Sequence, residues 1–362
     1  MRHYWRVGAA NGTYDRFEPR LYYPPMDICV CGAQVPFMSG GAEALMQNLV
    51  TAAIAAGHRA EVVQIPTVWD RERIFDAALA WRMVPIDADL VIPINFPAYF
   101  VQHPNKVVWL AHQHRSAYDG AGGPWSDFAL DDEGLELQRL LTEWDTRALS
   151  EASKIFTISG VVSDRLARFN GLSSEPLYHP APLWDSLKPG PFGDAVFSPL
   201  RLEGNKRPQL LVDALEHVVS GTRLELAGRG SLAESLQARA VELGVANQLD
   251  LLGFVPDTAL VDHFARSLAV VYAPYDEDYG YVTLQAFRAG KPVITAADSG
   301  GVLEWVEDGV NGLVTDGSPA AIADAIDRLA GDHALAQRMG AAGRDRVSDL
   351  DWAPVIARLT GS

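Results

Sequence analysis

Cysteine is nearly absent from the chain: Cys29 and Cys31 are its two cysteines in 362 residues. They alternate along one predicted strand, too close for an unstrained bridge, so a disulfide framework is excluded and both are expected as reduced core residues. Basic residues are scarce as well, 30 Lys and Arg against 46 Asp and Glu, for a formal net charge of −16. That balance argues against a nucleic-acid partner and against a generally cationic membrane-binding face. A local basic patch, and with it peripheral membrane contact, stays open. No apolar run approaches the length of a membrane span, and the opening MRHYWRVGAANG has no secretory h-region, so a cytoplasmic location is expected. Serine–histidine–aspartate, zinc-ligand and cysteine–histidine arrangements are not found at recognisable spacing. Hydrophobic residues are plentiful, 48% of the chain, which over this length supports a large core and favours two domains.

Residues 1–25 show neither a period of 2 nor one of 3.6 and read as an arm, dispensable if the first domain begins at Met26. From there apolar strand-like runs alternate with helical stretches: Asp27 to Ala33, a helix through Gly57, RAEVVQI, a helix from about Asp70 to Met83, DLVIPI, KVVWLAH, KIFTIS, and a helix from about Gly160 with Ser159 as its N-cap. The proline-rich stretch from Pro180 to Asp194 reads as a linker. The alternation then restarts with AVFSPL, RLELAG, LDLLGF and VYAP, and amphipathic helices close the chain from about Ser318 to Gly361. Strands separated by helices of this size mean parallel βαβ units. The expected fold is α/β: two Rossmann-like, doubly wound domains over 26–185 and 186–345 facing each other across a cleft, with residues 346–362 forming a final helix.

Ligands of such sheets bind beyond the carboxyl ends of the strands, and several candidates stand there. Gly40 and Gly41, before Glu43, let the backbone approach a ligand at a helix start, although an ordinary tight turn explains them equally well. His112 and His114 end KVVWLAH, where a lone histidine is as readily a packed residue as a functional one. Arg201, Lys206 and Arg207 follow AVFSPL, and in so acidic a chain a cluster of cations would mark where phosphates are held. AGRGSLAESL matches a glycine fingerprint for nicotinamide cofactors. The acid that should end the next strand is missing, since Asp250 begins it, so Gly228 and Gly230 read better as a loop approaching a nucleotide. In VYAPYDEDYGYVTLQAF a strand gives way to an acidic turn and then to a helix opening near Gly280, whose free amides and dipole favour a phosphate. Glu277 in the turn and Gln285 in the helix are expected to face that guest together. Asp276 and Asp278 spell D-x-D, a motif that suits Mg²⁺ or Mn²⁺, but the cations and helix end already supply positive charge.

Glu277, Gly280 and the eight-residue step to position 285, followed by AFRAGKPVI and DSGGVLEWVEDGVNGLV, resemble the signature of retaining nucleotide-sugar glycosyltransferases of the GT-B fold, the GT4 family. The resemblance implies transfer of a hexose from a UDP-, GDP- or dTDP-sugar to a hydroxyl of a saccharide, lipid-linked or small-molecule acceptor, with no metal and no cofactor beyond the donor. It implies that Arg201 and Lys206 clamp the diphosphate, Glu277 holds donor-sugar hydroxyls and His112 reaches the donor sugar. It also places Gly40, Gly41, Gly228, Val255, Tyr279, Gly280, Tyr281, Val282 and Gln285 around the donor, with the acceptor entering near Gly40, Gly41 and His112. The final helix would cross back to the first domain. One position departs, since the family has glutamate where this chain has Gln285, and restoring it is expected to tighten donor binding through the ribose. Two rivals stand beside this reading: a sugar-nucleotide 2-epimerase, and a nucleotide-sugar-binding protein that has lost catalysis.

Overall fold

The structure is a computed structural model that describes residues 24–37 and 40–361, so the arm over residues 1–25 lies outside it but for its last two positions. The first domain runs β1 (Asp27–Gln34), α1 (Gly41–Ala55), β2 (Arg59–Pro66), α2 (Ile74–Met83), β3 (Leu90–Pro93), β4 (Val107–Leu110), α3 (Asp132–Ser150), β5 (Lys154–Thr157), α4 (Gly160–Asn170) and β6 (Glu175–Pro176). Its strands pair in parallel as β2-β1-β3 and β4-β5-β6, and the bridges Val91–Lys106 and Asn95–His112 join the two sets. Helices on both faces bury β1 from Ile28 through Ala33, which is why it reads as an apolar run and not as an alternation. Both cysteines are free and buried there.

The second domain runs β7 (Ala195–Pro199), α5 (Pro208–Ala214), β8 (Arg223–Ala227), α6 (Ala233–Glu242), β9 (Leu249–Gly253), α7 (Asp257–Arg266), β10 (Ala269–Val271), α8 (Tyr281–Arg288), β11 (Val293–Ala296), β12 (Gly312–Thr315), α9 (Pro319–Gly331), α10 (His333–Arg346) and α11 (Trp352–Thr360). Its parallel sheet has the order β12-β11-β10-β7-β8-β9. The chain therefore winds one way from β7 through β8 to β9 and the other way from β10 to β12. Between β7 and β10 the loops part in opposite directions, and a crevice opens at the carboxyl ends of those strands. The first sheet has the same break between β1 and β3.

Residues 180–194 carry no regular element, yet they are tied to the second domain. Gly193 donates its N–H to Arg266 O at 2.9 Å, and the Lys291 ammonium donates to Gly190 O and Pro191 O at 3.1 and 2.8 Å. The chain returns to the first domain through α11: Arg358 pairs with Glu175, and the Trp352 ring centroid lies 6.1 Å from that of Trp109. Among the described residues no helix is long and apolar enough to cross a membrane.

One core group of the first domain is a carboxyl. Asp145 on α3 is fully buried, and its Oδ2 accepts from the Tyr118 hydroxyl at 2.5 Å. Burial drives its pKa from 3.8 up to about 7 against the effect of the tyrosine hydrogen bond. A carboxyl whose pKa is higher folded than unfolded penalises the fold once it ionises: the penalty is absent below 3.8, grows as pH rises, and is complete above about 7. Asp145→Asn keeps the acceptor oxygen for Tyr118 and removes the charge. Its melting temperature relative to wild type should therefore climb between pH 4 and 7 and then level off, the variant being the more stable at pH 8. A difference independent of pH would show that Asp145 is not neutral in the acid-side fold.

Candidate active site

The carboxyl ends of β1, β3 and β4 on one side, and of β7 and β10 on the other, enclose a cavity of about 590 Å³ between the domains. Its second-domain wall is the acidic turn. Gly280 caps α8 at φ +84°, ψ +56°, a left-handed conformation open to glycine, and a Cβ there would meet Val302 Cγ2 at 2.9 Å. No side chain caps this helix, so its first amides are left to whatever occupies the cavity. The turn is held by a parallel bridge to the DSGG stretch, with Glu277 N–H donating to Ser299 O at 3.2 Å and Gly301 N–H to Glu277 O at 2.6 Å.

Glu277 is half-buried and ion-paired with Lys206, while the Tyr272 hydroxyl donates to its Oε2 at 2.9 Å. Burial pushes this carboxyl upward, but the Lys206 charge and hydrogen bond more than offset it, so Glu277 is held below the usual carboxylate range. Arg201 lines the same wall, exposed and with no carboxylate partner among the described residues. The third cation is spent elsewhere: Arg207 forks onto Asp298 at 2.8 and 2.7 Å and donates to the carbonyls of Ala273 and Pro274.

Across the cavity the other two acids of the turn meet the first domain. Arg115 binds Asp276 through both its carbonyl and its carboxylate, and also pairs with Asp119. Arg165, 3% exposed, lies 2.5 Å from Asp119 and 2.7 Å from Asp278. Burial works against ionisation of Asp278, yet Arg165, Arg115 and His112 hold its pKa below the ordinary value. Asp276 goes the other way, raised by burial despite Arg115. The D-x-D carboxylates are thus engaged by guanidinium groups. Beside them Tyr279 donates its hydroxyl to His179 O at 2.6 Å, and the Tyr281 hydroxyl lies 2.7 Å from His179 Nε2. Glu304 accepts from the Gly160 and Val161 amides at the start of α4, at 3.1 and 2.8 Å.

The cavity brings together Gly40, Gly41, His112, Arg201, Lys206, Glu277, Tyr279, Gly280, Tyr281 and Val282. Gly228, Val255 and Gln285 are not part of its wall. At Gly228 the missing side chain admits protein backbone: a Cβ would lie 1.8 Å from Leu200 O, and one on Gly230 would lie 2.3 Å from Leu202 O. Val255 packs half-buried against the core. Gln285 does not converge with Glu277. The helix starts only at Tyr281, so residue 285 sits a full turn deeper than the cavity edge, where its Nε2 donates to Pro182 O of the linker at 3.1 Å. Arg115, Asp119, Arg165, Trp69 and His179 escaped the sequence reading. Arg115 stands among glycines and polar residues with no periodic pattern, and nothing local ties it to an acid 161 positions away.

Residues 194–346 match the protein family described as "Glycosyl transferases group 1". The GDP-mannose-dependent alpha-(1-6)-phosphatidylinositol monomannoside mannosyltransferase of Mycobacterium tuberculosis is 38% identical over 171 residues, 44% of this chain and 44% of that protein. The D-inositol 3-phosphate glycosyltransferase of Xylanimonas cellulosilytica is 32% identical over 177 residues, 46% of this chain and 42% of that protein. The chain thus spans less than half the length of these curated relatives. Sucrose-phosphate synthase from Thermosynechococcus elongatus superposes with a TM-score of 0.73 at 18% identity, covering 93% of this chain and 98% of that one. HepE from Anabaena, solved in complex with UDP and glucose, gives a TM-score of 0.70 at 18% identity with the same coverage. These likenesses show the GT-B fold of two Rossmann-like domains.

The Gln285 contact reverses the expectation for its substitution. Glutamate offers no N–H to Pro182 O and sets a buried carboxylate against a carbonyl, which costs on the order of 1–3 kcal/mol. Gln285→Glu should melt below wild type at pH 8, with the deficit shrinking toward pH 4 as the carboxyl protonates and can donate again. Nucleotide affinity should stay within about twofold of wild type. An unchanged melting temperature together with tighter nucleotide binding would restore the ribose role.

Proposed function

We propose that this chain, which over residues 194–346 is a domain of the glycosyl transferases group 1 family, moves a hexose from a nucleoside diphosphate sugar to an acceptor hydroxyl with retention of configuration. The observation that carries the reading is the wall at the β7/β10 crevice: an Arg201 with no ion-pair partner among the described residues, the half-buried Lys206–Glu277 pair and the start of α8 without a side-chain cap, within one cavity. A diphosphate there gains Arg201 at once and draws Lys206 off Glu277, which frees the carboxylate to accept from sugar hydroxyls. Departure of the diphosphate builds negative charge beside Arg201, Lys206 and the α8 amides, and contacts that strengthen as that charge grows lower the barrier. The acceptor, held by the first domain, attacks from the face the diphosphate leaves, and the leaving phosphate takes its proton. His112, beside Asp278, faces the sugar from the opposite wall.

Incubation with UDP-, GDP- and dTDP-sugars tests this. Nucleotide release that rises with added acceptor supports transfer, an isomerised donor supports an epimerase, and binding with neither supports a protein that has lost catalysis. Arg201→Ala should lower turnover by about a hundredfold, because its contact grows toward the transition state. Arg201 is exposed and has no ion-pair partner among the described residues, so the variant should fold normally, whereas Lys206→Ala also leaves the half-buried Glu277 carboxylate without its cation. Unchanged turnover in Arg201→Ala would remove the clamp.

Fixed cations and a helix end also suffice to neutralise the leaving group without a divalent ion. Turnover should survive EDTA. Loss on chelation with rescue by Mn²⁺ would instead recruit Asp276 and Asp278, at the expense of their arginine partners.

A further inference from the structure

The first-domain half of the cavity is built from different chemistry than the donor half. Trp69, in the loop after β2, lines it and stacks on His114, with ring centroids 5.5 Å apart and planes 15° apart; Phe96 and Phe128 close around the same imidazole at 5.6 and 5.4 Å. Burial lowers the His114 pKa to about 4, so the ring is neutral at physiological pH, and its Nε2 is buried without a hydrogen-bond partner among the described residues. Orphaned buried polar atoms are rare and call for a partner. Asn95 lines the same half, with Oδ1 taken by the Ala33 N–H at 3.1 Å.

Charge on this half is accounted for. Histidines aside, the charged side chains lining it are Glu43 and Arg115. Arg115 is engaged by Asp119, Asp276 and Asp278. At the start of α1 the Gly40 N–H donates to the Glu43 carboxylate at 2.8 Å, so an anion approaching this helix end meets the protein's own acid beside it. A phosphate in this half would meet Glu43 and no free lysine or arginine, whereas Arg201 serves the donor on the opposite wall.

We infer that the acceptor is an uncharged, hydroxyl-bearing ring, a neutral glycoside or cyclic polyol and not a phosphomonoester, and that Trp69 and His114 are its specificity-determining residues. The apolar face of such a ring packs on the aromatic floor while its hydroxyls satisfy polar groups such as His114 and Asn95. The inference rests on the sugar-transfer reading for its name of acceptor.

The test is saturation-transfer NMR on the full chain, with and without the nucleoside diphosphate that binds best among UDP, GDP and dTDP. The probes are methyl glucoside, methyl mannoside and myo-inositol beside their phosphomonoesters. Neutral rings should take up saturation and the phosphomonoesters should bind at least about tenfold more weakly. Trp69→Ala should abolish the neutral-ring signal and Trp69→Phe should keep part of it, with nucleotide affinity in both variants reporting that the fold and the donor wall are intact. Equal or tighter binding of the phosphomonoesters, a neutral-ring signal that survives Trp69→Ala, or no ring binding at all would overturn the inference. Failure of the transfer reading has a separate signature, an absence of nucleotide binding by wild type, while ring binding at Trp69 is still scored in the nucleotide-free protein.

Discussion

Asp278 is a half-buried carboxylate on the second domain whose cationic partners, Arg165 and Arg115, both belong to the first. Arg165 is buried and the other two are partly so, and what withdrawing such charges from water costs is returned by their mutual attraction. Asp119 of the first domain also pairs with both arginines, but among the described residues Asp278 meets its arginines across the cleft, so the ion cluster favours the two sheets facing each other. Everything in the cavity inherits that arrangement. Asp278 is one peptide from Glu277 and two from Gly280, so fixing its carboxylate also fixes where the Lys206 pair and the start of α8 stand.

A second set of contacts acts in the same sense with little charge. Tyr279 exchanges hydrogen bonds with both backbone groups of His179 and lies parallel to its ring at 4.4 Å. Glu304 takes the position of an anion at the start of α4, where the helix dipole favours it. Arg201 takes part in none of these contacts and has no ion-pair partner among the described residues. Asp276 and Asp278 are thus engaged across the cleft, while Arg201 stays exposed where a diphosphate would meet it.

Much of the architecture was legible in the chain because buried parallel strands are continuous apolar runs and helix ends carry small caps. Ser159 does accept from the Val162 amide, at 3.2 Å, where an N-cap should. The long helix α3 was hidden by its polar composition, although Asp131 caps it with a bond to the Gly134 amide at 2.8 Å. At the site, spacing announced the acidic turn and the cations after β7 because both follow strands directly. It could not announce their partners. Arg115 and Arg165 reach the turn through the relative placement of two domains, and Gln285 is claimed by a carbonyl of the linker, whose path no periodicity encodes. Long-range pairing of this kind has no local signature, so a motif locates one wall of a cleft and says little of the wall opposite.

The chain crosses between domains twice, once after His179 into the linker and once at α11, and the crossings touch: the Trp352 and His179 rings are 5.6 Å apart. Two adjacent tethers act as one pivot. Relative motion of the domains then reduces to rotation about that point, and displacement grows with distance from it, so the parts of the cleft farthest from Trp352 swing through the widest arc. Any widening of the mouth would be taken up at the Arg165 and Arg115 contacts with Asp278, while the aromatic packing at the pivot would hardly move.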